Sequence, residues 1–185
     1  ELGLVGSEMC IRDRFIITNE KRNKFIRNLA WDLKGNTLIL FSRVEGHGKV
    51  LFNLINNNVL EQRQTFFVHG GVGAEDREKV REITENEKNA IIVASYGTFS
   101  TGINIRNLHN IIFASPSKSR IRNLQSIGRV LRKGTNKVKA TLYDIADDAT
   151  YKSRRNYTLN HLIERLKIYN YEKFNYDIIN ISFKK

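Results

Sequence analysis

The densest chemistry in this 185-residue chain lies at residues 118–139, KSRIRNLQSIGRVLRKGTNKVK, which carry eight basic residues and no acidic one. Acids gather elsewhere: residues 75–87 hold six of them. The positive charge is therefore localised, the pattern expected of a surface that meets phosphates. Residues 120–133 read as a helix ended by Gly134. At about 100° per residue, Leu124, Ile127 and Leu131 share one arc of about 60°, and Gln125, Arg129 and Arg132 share another, about 130° away. One face can pack on a core while the other holds an amide and two guanidiniums in a row. Arginines one turn apart can fork onto phosphate oxygens, which lysine does less well. The same pattern also fits a plain amphipathic helix with a solvated face.

Elements that could position such a helix run along the whole chain. Apolar periodicity predicts helices over 19–33, 46–57, 75–85 (inner face Val80 and Ile83) and 160–174. Short apolar runs rich in strand formers predict strands over 37–44, 65–69, 89–95, 110–114 and 139–145, and a last one over 176–183. Strands and helices alternate in steps of roughly 25 residues, which predicts βαβ units, an α/β fold and a parallel sheet with helices on both faces. Ligands of such sheets sit beyond the carboxyl ends of the strands. Those ends carry Ser42-Arg43, His69-Gly70-Gly71, Ser95-Tyr96-Gly97 and Ser115-Pro116-Ser117. Small and polar residues suit a phosphate-facing rim, though ordinary turns use them too.

Composition bounds the rest. Apolar residues at 41% are enough for one folded domain, and the net charge of +12 favours a polyanionic partner, most often nucleic acid. One cysteine excludes an intramolecular disulfide, and His47, His69, His109 and His161 have no zinc spacing, so all four read as structural or surface residues and no metal site is expected. The longest apolar runs are four or five residues, far short of the ~20 a spanning helix needs, so no membrane partner is expected and a cytoplasmic setting is. Residues 1–14 lack useful periodicity and are expected to be non-native, adapter-derived text, leaving residues 15–185 as a fragment of a longer protein.

Three stretches also carry a resemblance. Gln125-Ser-Ile-Gly-Arg-Val-Leu-Arg132 resembles motif VI of superfamily 2 helicases, Q-x-x-G-R-x-x-R. Upstream, the stretch from Ala94 to Asn104 (ASYGTFSTGIN) resembles their motif V, and residues 37–43 resemble motif IV. In this order on a βαβ background, residues 15–185 are similar to the second, C-terminal RecA-like domain of such helicases, and among them to the UvsW-type helicases of tailed phages, which remodel branched DNA in recombination and repair. The resemblance implies a domain over 15–150, with 151–185 a C-terminal helix and strand extending it.

It also implies roles. Arg129 and Arg132 match the arginine fingers that reach the γ-phosphate of ATP, and Gln125 the polar residue that reads that phosphate or its water. Gly102 and Asn104 match positions beside the nucleotide; many relatives carry Asp where Asn104 stands. Ser42, Gly70, Ser95 and Tyr96 fall where the family grips the nucleic-acid backbone, partly through main-chain N–H groups. Strand capping is the alternative for Ser42 and Ser95, and core packing for Tyr96. ATP and Mg2+ would be held mainly by an N-terminal RecA-like domain of the same parent. This chain has no G-x-x-x-x-G-K-[ST] loop, since Gly46-His-Gly-Lys49 has the wrong spacing and reads as a helix start. It has no Asp-Glu box after a strand; Asp147-Asp148 is the one paired acid there and follows motif VI. The expectation is thus the motor half of an ATP-dependent helicase or translocase acting on DNA or RNA in a bacterial or phage-infected cell, inactive by itself. The alternative is a stand-alone basic binding module without ATPase activity.

Overall fold

A computed structural model describes residues 16–57, 63–100, 107–115, 140–148 and 157–183. In chain order they form α1 (Glu20–Asp32), β1 (Thr37–Phe41), a π-type turn (Val44–Gly48) running into α2 (Lys49–Asn56), β2 (Thr65–Val68), α3 (Ala74–Asn86), β3 (Ile91–Ser95), α4 (Tyr96–Ser100), β4 (Asn110–Phe113), β5 (Thr141–Asp144) and α5 (Tyr157–Tyr171). The strands make one sheet, ordered β2-β3-β1-β4-β5, with every neighbouring pair parallel. The α/β architecture read from the sequence is the one observed.

Burial explains why these runs are strands. Every residue of β1, β3 and β4 is buried, whereas the edge strands β2 and β5 are mostly half-buried. A parallel strand covered on both faces must be mostly apolar, and TLILF and IIVAS are, with their one polar residue (Thr37, Ser95) at an end. The period of two then splits each strand between two cores. Leu38 and Leu40 pack with Tyr169 of α5 and Val80 of α3 on one face. Ile39 and Phe41 pack with Ile26 of α1 and Leu51 of α2 on the other.

The amino ends of the strands are tied by polar side chains. Buried Asn36 donates through its amide to the carbonyls of Thr84, Glu87 and Asn107 at 2.7–2.9 Å, and its Oδ1 accepts the Ala90 N–H at 2.8 Å. One residue thus binds the end of α3 and the lead-ins to β3 and β4 to the start of β1. Arg63 closes α1: its Nη1 donates to the carbonyls of Ala30 (2.8 Å) and Leu33 (2.9 Å), and its Nη2 to Gly35. A cation on the last carbonyls of a helix also suits the helix dipole.

Several expectations are corrected. Helix α3 turns Val80 and Thr84 inward and leaves Ile83 40% exposed, because Asn36 holds the Thr84 carbonyl and so fixes the helix rotation. Helix α5 stops at Tyr171 rather than 174. Lys173 adopts φ 56°, the Phe174 N–H donates to the Tyr169 carbonyl and the Lys173 N–H to the Asn170 carbonyl, a Schellman closure with Phe174 against Tyr169. The strand expected over 176–183 does not form. No ladder pairs with it among the described residues, and a strand without a paired edge has no partner for its backbone groups. The short helix α4 was not anticipated. The helix expected over 120–133 lies outside the described residues.

Asn36→Ala takes the amide partner from the Thr84 and Asn107 carbonyls and the acceptor from the Ala90 N–H, each worth about 1 kcal/mol or more when buried, while the Glu87 carbonyl keeps Asn107 Nδ2. We expect a loss of about 3 kcal/mol, read as a lower urea midpoint at unchanged m-value.

Candidate functional site

The register builds the rim at the carboxyl ends. Leu40 lies level with Phe113 of β4, and Phe41 with Ser95 of β3. Two residues further along, Ser42 stands opposite Ser115. The last ladder bond there runs from the Ala114 N–H to the Leu40 carbonyl, 3.0 Å. Beyond it a side chain takes over: the Ser42 N–H donates to Ser115 Oγ, 3.1 Å.

Among the residues expected to hold nucleic acid, each has a distinct local role. Ser42 keeps its side chain exposed, but its N–H is engaged within the fold. Gly70 is exposed in the turn after β2, and no described atom lies within 4 Å of where a Cβ would stand. That turn closes locally, the Gly71 N–H donating to His69 Nδ1 and the Val72 N–H to the His69 carbonyl. Ser95 is buried and caps α4: its Oγ accepts the Thr98 N–H (3.3 Å) and lies 2.7 Å from Thr98 Oγ1. Tyr96 packs its ring on Phe113 and donates its hydroxyl to the Ser115 carbonyl, 3.2 Å. Gly102, Asn104, Gln125, Arg129 and Arg132 lie outside the described residues, so the structure brings together only the strand-end half of the expected set.

Sequence reasoning missed the group that organises this rim. Residue 47, read only as structural or surface, is fully buried. His47 Nδ1 lies 3.0 Å from Ser115 Oγ and its Nε2 3.2 Å from Asn23 Oδ1 on α1. Asn23 in turn donates through Nδ2 to the Ile17 carbonyl, 2.9 Å. Gly48 permits this packing, since a Cβ there would sit 2.5 Å from the Phe41 ring. The one signal in the sequence was the Gly-His-Gly spacing, whose small neighbours let the imidazole sink between strand and helix. Burial, reinforced by the Arg22 guanidinium, lowers the His47 pKa to about 3, so the ring is neutral.

Two ion pairs fasten the β5 edge to the helices. Buried Arg22 donates through Nε to Asp147 Oδ1, 2.7 Å. Buried Arg165 donates through Nε to Asp144 Oδ2, 2.7 Å, which also accepts the Tyr169 hydroxyl at 2.8 Å. Burial and then the Asp144 charge raise the Tyr169 pKa, so its phenol stays protonated. Asp147, half of the one paired acid noted in the sequence, therefore serves an ion pair. Among the described residues no three His, Cys, Asp or Glu side chains converge, and no helix is long and apolar enough to cross a membrane.

A five-stranded parallel sheet with helices on both faces and a polar rim at its carboxyl ends is the RecA-like architecture of helicase C-terminal domains, and the comparisons agree. The chain belongs to the helicase conserved C-terminal domain family, which it matches over residues 20–134. It is similar to the ATP-dependent DNA helicase uvsW of Enterobacteria phage T4, 44% identical over 175 residues that cover 87% of this chain and 34% of that protein. It is similar also to the putative ATP-dependent RNA helicase L396 of Acanthamoeba polyphaga mimivirus, 31% identical over 169 residues covering 86% of this chain and 30% of that one. The crystal structure of T4 UvsW superposes with a TM-score of 0.74 at 41% identity, over 90% of this chain and 35% of that chain. Domain 2 of the DEAD-box helicase Mss116p, bound to an RNA duplex, shares the fold with a TM-score of 0.53 at 16% identity, over 74% of this chain and 52% of that one. The resemblance to superfamily 2 helicases and to the UvsW type holds. The chain spans about a third of the length of the curated relatives it matches.

The lowered His47 pKa has a consequence for stability. Below its unfolded value of 6.5 the unfolded chain takes up a proton that the folded chain refuses until about pH 3. Stability from this group is therefore complete above pH 6.5 and falls toward pH 3, by about 1.4 kcal/mol per unit. Unfolding free energies from urea titrations should fall from pH 7 to pH 5 by about 2 kcal/mol more in the wild type than in His47→Asn.

Proposed function

We propose that this chain is the C-terminal motor half of an ATP-dependent helicase or translocase acting on branched or duplex DNA. The observation that carries the reading is that the family match runs through residue 134 and so contains Gln125, Arg129 and Arg132 in the Q-x-x-G-R-x-x-R pattern. An N-terminal RecA-like domain of the same parent holds ATP and Mg2+. This chain's arginines approach the γ-phosphate from the other side, Gln125 reads that phosphate or its water, and Gly102 and Asn104 line the nucleotide. Ser42, Gly70, Ser95 and Tyr96 form the strand-end side of the DNA track: Ser42 offers its hydroxyl and Gly70 its open backbone, while the buried side chains of Ser95 and Tyr96 hold the strand end behind them.

The mechanism follows from charge and geometry. Negative charge builds on the transferring phosphoryl group, and guanidiniums delivered from a second domain stabilise it only when the two domains are closed. Closure with ATP and opening after hydrolysis shift this domain's phosphate contacts along the strand. Contacts to phosphates rather than bases make binding sequence-tolerant and steeply salt-dependent. The setting is the cytoplasm of a bacterial or phage-infected cell. The isolated chain binds DNA and does not turn over ATP.

Arg129→Ala and Arg132→Ala in the complete parent protein should lower the ATPase rate by about 10³-fold or more, with DNA affinity within about twofold of wild type. A large loss of DNA affinity would move the arginines to the DNA track. ATP turnover by the isolated chain, abolished by Arg132→Ala, would overturn the division of labour. A parent without a phosphate-binding loop would leave the stand-alone binding module.

A second test uses the rim. Gly97 lies within α4 with no described atom within 4 Å of where a Cβ would stand. Gly97→Ala should stabilise the fold by about 0.5–1 kcal/mol through helix propensity. If phosphates approach the rim there, DNA affinity should fall at the same time. Calorimetry and fluorescence anisotropy on one preparation read both quantities, and unchanged affinity would remove this position from the track.

A further inference from the structure

Ser115 holds three strand ends at once, and the direction of every bond through it is fixed by chemistry. The Ser42 main-chain N–H can only donate, so Ser115 Oγ accepts from it. Asn23 turns its Nδ2 to the Ile17 carbonyl, so its Oδ1 faces His47 and can only accept. His47 Nε2 must therefore carry the ring's proton. The ring is neutral, so Nδ1 is the acceptor and Ser115 Oγ–H donates to it. The result is a one-way relay: Ser42 N–H to Ser115 Oγ, Ser115 Oγ–H to His47 Nδ1, His47 Nε2–H to Asn23 Oδ1, Asn23 Nδ2–H to the Ile17 carbonyl. Meanwhile the Ser115 carbonyl accepts the Tyr96 hydroxyl. Ser115 belongs to the exit of β4, Ser42 to the exit of β1 and Tyr96 to the exit of β3. His47, Asn23 and Ser115 are all nearly or fully buried, so water does not substitute for a lost partner.

The sequence gives this junction a direction. Ser42 and Tyr96 are positions read as nucleic-acid contacts. Pro116 follows Ser115, and the basic stretch 118–139, which includes Arg129 and Arg132, begins two residues later. We propose that Ser115 is a positioning residue that couples the nucleic-acid side of the rim to the ATP-facing arginines, with His47 and Asn23 holding its hydroxyl in the one orientation that serves both partners. A phosphate drawn to the Ser42 or Tyr96 strand end shifts the groups that Ser115 binds, and Ser115 passes that shift to the chain segment that carries Arg129 and Arg132. The inference rests on the helicase reading and adds a residue outside the matched motif positions.

The test measures ATP hydrolysis by the complete parent protein with and without single-stranded or branched DNA. Ser115→Ala should keep the DNA-free rate within about twofold and reduce the stimulation by DNA by about tenfold. Ser115→Thr, which retains the hydroxyl, should restore stimulation. Asn23→Ala, which cuts the far end of the relay without touching a strand end, should lower stimulation in the same direction, and thermal melts of each variant confirm folding. Stimulation equal to wild type in folded Ser115→Ala and Asn23→Ala overturns the coupling role. A proportional loss of both rates that threonine does not rescue also overturns it and leaves Ser115 a structural residue. A wild-type parent that hydrolyses no ATP, or ignores DNA, overturns the helicase reading itself and the inference with it.

Discussion

Burial of a parallel sheet on both faces is the constraint from which the rest of this structure follows. β1 runs down the middle of the sheet with no exposed residue, hydrogen-bonded to β3 on one side and β4 on the other. Past Thr37 at its start, whose hydroxyl is bonded to the Gly35 carbonyl, such a strand offers no polar side chain. All recognition must happen where strands stop, and parallel pairing places all five stops in one direction on one rim. The fold therefore positions chemistry before any individual side chain does.

The cost of that arrangement falls on the backbone groups where ladders end. At the amino ends Asn36 and Arg63 meet it with bonds to main-chain carbonyls, and these are static fixtures of the fold. At the carboxyl ends the same need is met by a hydroxyl and an imidazole, which link residues on α1, β1, β3 and β4. The β5 edge is held differently, by Arg22 with Asp147 and Arg165 with Asp144. Buried ion pairs of this kind fix geometry more surely than they add stability, because desolvation offsets much of the attraction.

Much of this was legible in the sequence, for a physical reason. A strand buried on both faces must be apolar through its middle, so TLILF, IIVAS and NIIF announced themselves, and their alternation with helices implied a parallel sheet. The strand-end residues could be read as a rim once the sheet was inferred. The relay could not. It depends on β4 lying beside β1 rather than beside β3, and chain order does not state that neighbour relation. With the order known, the register alone sets Ser42 opposite Ser115. The inner face of α3 was misread because Val80 and Ile83 are its apolar pair, whereas a polar clamp from Asn36 selects Thr84. The strand expected at the carboxyl end failed for a related reason. Residues 176–183 have the composition of a strand, but composition supplies no edge to pair with, and Ile178, Ile179 and Ile181 remain exposed.

The choice of histidine at the relay's centre follows from its surroundings. Ser42 N–H needs an acceptor at one end, and Asn23 Oδ1 needs a donor at the other. A group between them must therefore accept on one side and donate on the other. Lysine only donates, carboxylate only accepts, and either would place a full charge in a site that burial strongly penalises. A cation would also face Arg22, whose charge already works against protonation of the ring. A glutamine has both functions, but its additional rotatable bonds cost more ordering entropy than a rigid ring does. Neutral imidazole, held in a single tautomer, fixes the Ser115 hydroxyl in one direction. That fixed hydroxyl is what allows one side chain to close the β1 ladder while its own main chain closes the Tyr96 contact.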